Sequence, residues 1–189
     1  MHVTDLRELA DLLDPRQEVP PRRVRVARYL AEIVEAATAH PRRGAWVVTA
    51  IPCRRRPGRR PCPGTIAVQC SEVPAIVRWQ CPGCADEGLV RQWRDTPWDF
   101  SKIPAEPFEV EVVLTLEEHE ILRTISLWDP EPERLFAAAE RIDEGVLLSG
   151  SLEALEHLTG YVAAESNAEP RPRRRRLLDT VCDKLEAHL

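Results

Sequence analysis

The chain has 189 residues, of which 43% are apolar and 30% charged, and it carries a formal net charge of −5 and six cysteines. That composition belongs to an ordinary globular protein able to build a core, and no apolar run is long enough to span a bilayer. The start, MHVTDLRELADLL, holds acids and no apolar run after a basic stretch, so no secretory signal and no membrane partner are expected.

The first region, 1–43, is expected to be helical. TDLRELADLLD offers Thr4 as a cap, with Leu6, Leu9, Leu12 and Leu13 on one face. After the break DPRQEVPPRR, the stretch VARYLAEIVEAATAH repeats apolar residues at Val26, Leu30, Ile33, Val34 and Ala37, a helical period that stops before Pro41 and Gly44. The two helices are expected to pack on each other or to cover the next region.

The second region, 44–100, reads as short strands. AWVVTAI, TIAVQC, AIVRWQC and GLVRQW are rich in valine, isoleucine and tryptophan and are divided by proline and glycine. A proline-rich linker, PWDFSKIPAEPF, follows.

The third region, 105–189, is mixed. FEVEVVLTL alternates as a strand, and Thr115 with Glu118 forms a capping box for a helix over EEHEILRTI. DPEPERLFAAAERID is a second helix with Pro130 in its first turn. GVLLSG is a strand, and SLEALEHLTGYVAAES is a helix opened by Ser151. The final segment starts as a charged, proline-bearing loop, with Arg173–Arg176 read as a second basic run or a solvated helix start, and ends as a helix along Leu177, Leu178, Val181, Leu185 and Leu189. The fold class expected is α+β: N-terminal helices, a central β module and a small C-terminal α+β module.

Charge is distributed unevenly over these regions. Residues 1–40 sum to −1, residues 41–94 to +7 and residues 95–189 to −11. Lys102 and Lys184 are the two lysines, so arginine supplies 24 of the 26 basic residues, which GC-rich codon usage explains as readily as phosphate recognition. The basic island calls for an anionic partner, either outside the chain or in its own acidic remainder.

Five of the six cysteines lie in that island. Cys81-Pro-Gly-Cys84 is the sharpest signal, because a C-x-x-C turn points two thiolates at one ion and turns backbone amides toward the sulfurs. Tetrahedral zinc needs two further ligands, and Cys53 and Cys62 flank a loop at the end of a hairpin. Cys70 lies toward the far end of the following strand and is assigned to the core, as is Cys182 on the last helix. A redox pair would leave Cys53 and Cys62 unexplained, and three disulfides would need an export signal; in a cytoplasmic setting the cluster indicates metal.

Between Trp46 and Trp93 the segment resembles a zinc ribbon, with two cysteine pairs on hairpin turns and short strands behind them. It departs from that pattern in its first pair, which is separated by eight residues, and in having Ala85 where glycine commonly follows the second knuckle. The remainder of the chain has the look of a bacterial protein and resembles no particular family.

Arg54, Arg55, Arg56, Arg59 and Arg60 all lie between Cys53 and Cys62. They are candidates for contacts to a nucleic-acid backbone. The alternative is that they offset the charge of the thiolates or pair with the acidic third region, and an acidic protein surface is the other candidate partner. Trp46 and Trp79 are assigned to the core of the β module, and Trp98 to packing between regions. His119 and His157 sit among glutamates on what read as solvated faces, and Glu117 and Glu118 read as ordinary helix surface. No histidine stands beside a nucleophile and there is no glycine-rich phosphate loop, so nothing nominates a catalyst. The expected function is that of a non-enzymatic zinc protein with a structural tetra-cysteine site, associated with nucleic acid or regulatory through its basic loop; the alternative is a protein-interaction module that zinc only stabilises.

Overall fold

The computed structural model describes residues 2–13, 19–40, 44–102, 110–127 and 129–189. The fold is α+β, in two compact units, Met1–Ile103 and Pro104–Leu189. Among the described residues no helix is long and apolar enough to cross a membrane.

The first unit opens with strand β1 (His2–Asp5), a four-residue helix α1 (Arg7–Ala10) and a 3-10 turn at Asp11–Leu13. Helix α2 (Pro21–Ala39) follows, then strands β2 (Val47–Pro52), β3 (Thr65–Glu72), β4 (Ala75–Gln80) and β5 (Glu87–Arg91). The strand order is β1-β5-β4-β3-β2. β2 to β5 form an antiparallel meander, and β1 adds to its edge parallel to β5, with Val3 opposite Leu89.

The strand at the N-terminus corrects the start of the expected helix, which begins at Arg7 and runs on into the 3-10 turn. Thr4 is a strand residue, and Asp5 instead accepts the Arg7 amide, at 3.0 Å. The reason lies in the tertiary structure: β5 would otherwise leave a row of backbone groups without strand partners, so the residues ahead of the leucines pair with it, while the leucine-bearing stretch stays helical from Arg7. Leu6 still reaches the core, fully buried.

α2 lies over the sheet. Tyr29, Leu30, Ile33, Val34 and Ala37 pack with Val47, Ile66, Val68, Val77, Trp79 and Trp93. Burying that helical stripe against one sheet face is what holds the helix, since a helix of this length is marginal alone. Val26 was expected on the stripe but is exposed, and Ala27 takes its place. Thr38 ties the helix end to the chain after the sheet: its hydroxyl donates to the Trp98 carbonyl at 3.2 Å and accepts the Phe100 amide at 3.0 Å.

The second unit contains β6 (Val110–Leu114), α3 (Leu116–Leu122), α4 (Pro130–Ala137), β7 (Glu140–Ile142), β8 (Gly145–Gly150), α5 (Leu152–Ala168) and α6 (Pro172–Glu186). The strands run antiparallel in the order β7-β8-β6. Thr115 and Glu118 form the expected capping box, and the Ser151 hydroxyl accepts the Ala154 amide. Phe108 and Glu109, at the start of the expected FEVEVVLTL strand, lie outside the described residues.

Some expectations for this unit change. Helix α4 stops at Ala137, and the following Glu140–Ile142 pairs with β8 as a strand. The arginine run Arg173–Arg176 opens helix α6 as a helix start, so the expected loop is short, because Pro172 takes the first helical position, where no amide is needed. Glu169, itself buried, accepts the Arg171 amide and an Arg174 side-chain bond, and its carbonyl accepts two bonds from Arg175, so the run is tied to the end of α5. Leu178, Val181 and Leu185 are buried as expected, but Leu189 is exposed past the helix end.

A candidate metal centre at one end of the first sheet

Two neighbouring hairpin turns carry the four cysteines. The β2–β3 connection leaves the sheet at Cys53 and returns at Cys62; the Cys53 amide bonds the Gly64 carbonyl at 2.8 Å and the Cys62 amide bonds the Arg55 carbonyl at 2.9 Å. A 3-10 turn at Pro57–Arg59 closes its tip, with Gly58 and Arg59 at φ of 60° and 66°. Bonding across the loop base brings its ends together, so an eight-residue spacing does the work of a short knuckle. The β4–β5 turn is tighter: the Cys81 amide bonds the Asp86 carbonyl at 2.7 Å and the Ala85 amide bonds the Cys81 carbonyl at 2.9 Å. Ala85 takes the left-handed conformation, φ 54°, at the position where glycine would be least strained.

The Sγ atoms of Cys53, Cys62, Cys81 and Cys84 all lie within 4.8 Å of one another. The closest pairs cross between the turns, Cys53 with Cys84 at 3.6 Å and Cys62 with Cys81 at 3.7 Å. These separations are far too long for a disulfide, which is about 2.05 Å. They match the edge of a tetrahedron, since four sulfurs about 2.3 Å from a central zinc stand about 3.8 Å apart. Cys53, Cys62 and Cys81 are buried and Cys84 is half-buried.

The two turns share the tripeptide Cys-Pro-Gly, at 62–64 and 81–83. Their glycines face each other: a β-carbon on Gly64 would lie 2.9 Å from the Cys81 sulfur and one on Gly83 would lie 3.5 Å from the Cys62 sulfur. This repeat was a signal available in the sequence for which cysteines converge, and residue spacing alone did not use it.

Backbone amides face the sulfurs, from Arg55 to Cys53 at 3.5 Å and from Gly64 to Cys62 at 3.4 Å. The Gly64 amide is the main cause holding the Cys62 thiol below its ordinary value, while burial pushes Cys53 and Cys81 up. Burial thus favours the protonated thiols on their own, and a divalent cation would displace those protons and neutralise the thiolates. Four thiolates around one ion would leave it no open coordination position.

Cys70 is buried within the core on β3 and is not among the four. Cys182 departs from its expected core position: it is half-buried and its thiol donates to Glu186.

The loop arginines divide into two groups. Arg54 lies back on α2: its guanidinium donates to the Arg25 carbonyl at 2.7 Å, sits 4.4 Å over the Tyr29 ring and pairs with Glu32 at 3.7 Å. Arg55 pairs with Asp86 across the two turns at 3.6 Å. Both acids belong to the first unit. Arg56, Arg59 and Arg60 are exposed and make no ion pair among the described residues.

Trp79 is buried as expected and meets Tyr29 edge-on, with ring centroids 6.3 Å apart. Trp46 is not in the core; it is 44% exposed because it precedes β2 at the opposite sheet end. Trp98 packs half-buried against the first unit's own core. His119 is also corrected: it is 4% exposed and stacks on Phe136, centroids 4.7 Å apart, so burial depresses its pKa to about 4. Glu118, expected on the surface, is 5% exposed and receives the Lys184 ammonium at 2.6 Å. His157 is exposed, as expected.

Comparison with protein-family models, with curated proteins and with solved structures finds no match to this chain.

Proposed function

We propose that this chain is a zinc protein in which Cys53, Cys62, Cys81 and Cys84 form a structural, ribbon-like tetrathiolate centre. The observation that carries the reading is the mutual approach of four sulfurs within 4.8 Å at one end of a sheet. Adjacent hairpin turns supplying two cysteines each are the ribbon arrangement, here with the first knuckle widened. Bound zinc would contribute on the order of 10 kcal/mol to folding of such a module. Its chemistry would be that of a clamp holding two turns together, with Arg54 and Arg55 bracing the first turn against α2 and Asp86. The role is non-enzymatic on this reading, because a closed four-sulfur shell activates neither water nor substrate.

The metal then fixes a loop that offers Arg56, Arg59 and Arg60 to solvent, and we read its partner as nucleic acid. The support is their exposure and their lack of ion pairs among the described residues. An acidic protein surface is the competing partner for the same guanidiniums. Metal analysis of the purified chain tests the centre. One zinc per chain, lost in Cys81→Ser, is expected; a metal-free wild type or full retention by that variant overturns it.

A further inference from the structure

The basic loop has a neighbour on the same surface that its sequence region does not include. Helix α2 begins Pro-Arg-Arg-Val-Arg-Val-Ala-Arg, and its first turn contains no acid. Arg22, Arg23, Arg25 and Arg28 are all exposed and make no side-chain ion pair among the described residues. Arg54 joins the loop to this helix by touching Arg25, Tyr29 and Glu32, which follow one line along its side. At 3.6 residues per turn, Arg22, Arg25 and Arg28 point within about 70° of that line, whereas Arg23 points about 150° away from it.

We infer that Arg22, Arg25 and Arg28 of α2 and Arg56, Arg59 and Arg60 of the loop form one continuous surface for the phosphate backbone of duplex nucleic acid. The inference rests on the nucleic-acid part of the proposed function and extends it to a second element and a kind of strand. Glu32 and Asp86, the acids that pair with the loop, are engaged by Arg54 and Arg55, which leaves the outer six guanidiniums unopposed by either. Tyr29, Trp79 and Trp93 are buried, so none of these three rings is open for a base to stack on. The exposed Trp46 lies at the other end of β2, on the order of 20 Å from Cys53 along the strand. Guanidiniums without stacking platforms fit a paired duplex, whose bases are already stacked, better than an open single strand. Base-independent binding follows, since phosphates carry no sequence information.

The test is fluorescence anisotropy of the full-length chain with a short DNA duplex of arbitrary sequence, titrated with salt. Six phosphate contacts predict that affinity falls about 10³-fold between about 50 and 200 mM salt, and three contacts predict about 40-fold. The triple variant Arg22→Ser, Arg25→Ser, Arg28→Ser and the loop variant Arg56→Ser, Arg59→Ser, Arg60→Ser should each fall to the shallower dependence, and Arg23→Ser should match the wild type. Arg54 bonds the carbonyl of residue 25, so the helix variant keeps that joint. Unchanged zinc content and thermal midpoint in each variant show that the fold is intact; a changed helix variant is replaced by single substitutions, each expected to lower the log–log slope by about 0.9. Loss of salt dependence in the loop variant but not in the helix substitutions overturns this inference and leaves the loop's role standing. Absence of wild-type binding at about 50 mM salt overturns both and leaves the metal centre untouched. Binding of polyglutamate or of single-stranded DNA as tight as that of the duplex overturns the assignment to a duplex.

Discussion

Gly64 backs onto Cys81: a β-carbon at position 64 would stand 2.9 Å from the Cys81 sulfur and 3.6 Å from the Gly83 α-carbon. The opposing position is looser, since a β-carbon on Gly83 would meet its neighbours at 3.5 to 3.7 Å, ordinary contact distances. Gly64→Ala must therefore push a candidate ligand, while Gly83→Ala need not. Competition with a chromogenic chelator should show metal affinity at least about tenfold weaker in Gly64→Ala, in line with disturbance of a ligand's immediate support. Gly83→Ala should stay near the wild type.

Cys70 and Cys81 are both buried cysteines with opposite expected behaviour. Cys70→Ala removes one sulfur from a core cluster and should cost about 1 kcal/mol of stability with metal content unchanged. Urea denaturation alongside metal analysis measures both. Metal loss in Cys70→Ala would place that residue in the ligand set.

Arg54 and Arg56 separate bracing from display. Arg54→Ala removes a guanidinium from the Tyr29 ring and a bond to the Arg25 carbonyl, and should lower stability by about 1 kcal/mol. Arg56→Ala should leave the thermal midpoint in place, since an exposed charge without a partner contributes little. Equal effects would mean that the loop does not lean on α2.

His119 makes the second unit sensitive to acid. Its folded pKa, about 4, is below its ordinary value of 6.5, with burial the main cause and Arg123 adding to it. The unfolded chain then binds the proton first, so this contribution is complete above about pH 6.5 and is lost as pH falls toward 4, amounting to about 3 kcal/mol. Denaturation at stepped pH should show that slope, and His119→Phe should flatten it.

Lys184 guards a buried carboxylate. Burial alone would raise the Glu118 pKa, but the Lys184 ammonium and the Thr115 amide together hold it below its usual value. Lys184→Met would leave Glu118 buried with only its cap bond, and a loss of about 2 kcal/mol is expected, less than for a fully buried pair because Lys184 is partly exposed. Glu118→Gln together with Lys184→Met should recover part of it.

How far these features could be read beforehand depended on whether they are local. The capping box at Thr115 and the strands around the cysteines are set by neighbouring residues and were legible. The convergence of Cys53, Cys62, Cys81 and Cys84 was legible because two pairs at strand ends need only one hairpin pairing to meet. β1 was not: it precedes a helical run of leucines and reads as the cap of that helix, and only the vacant edge of β5, 86 residues away, makes it a strand. His119 and Glu118 looked solvated because glutamates surround them, yet the stacking of Phe136 and the arrival of Lys184 come from other elements. The split among the loop arginines depended on α2 and Asp86 lying within reach, which spacing along the chain does not disclose.

The tetrathiolate centre is tested most directly by X-ray absorption at the zinc edge of the purified chain. The account predicts a first shell of four sulfur atoms at about 2.3 Å, with no nitrogen or oxygen. A shell with fewer than four sulfurs, or one containing nitrogen or oxygen ligands, would contradict it.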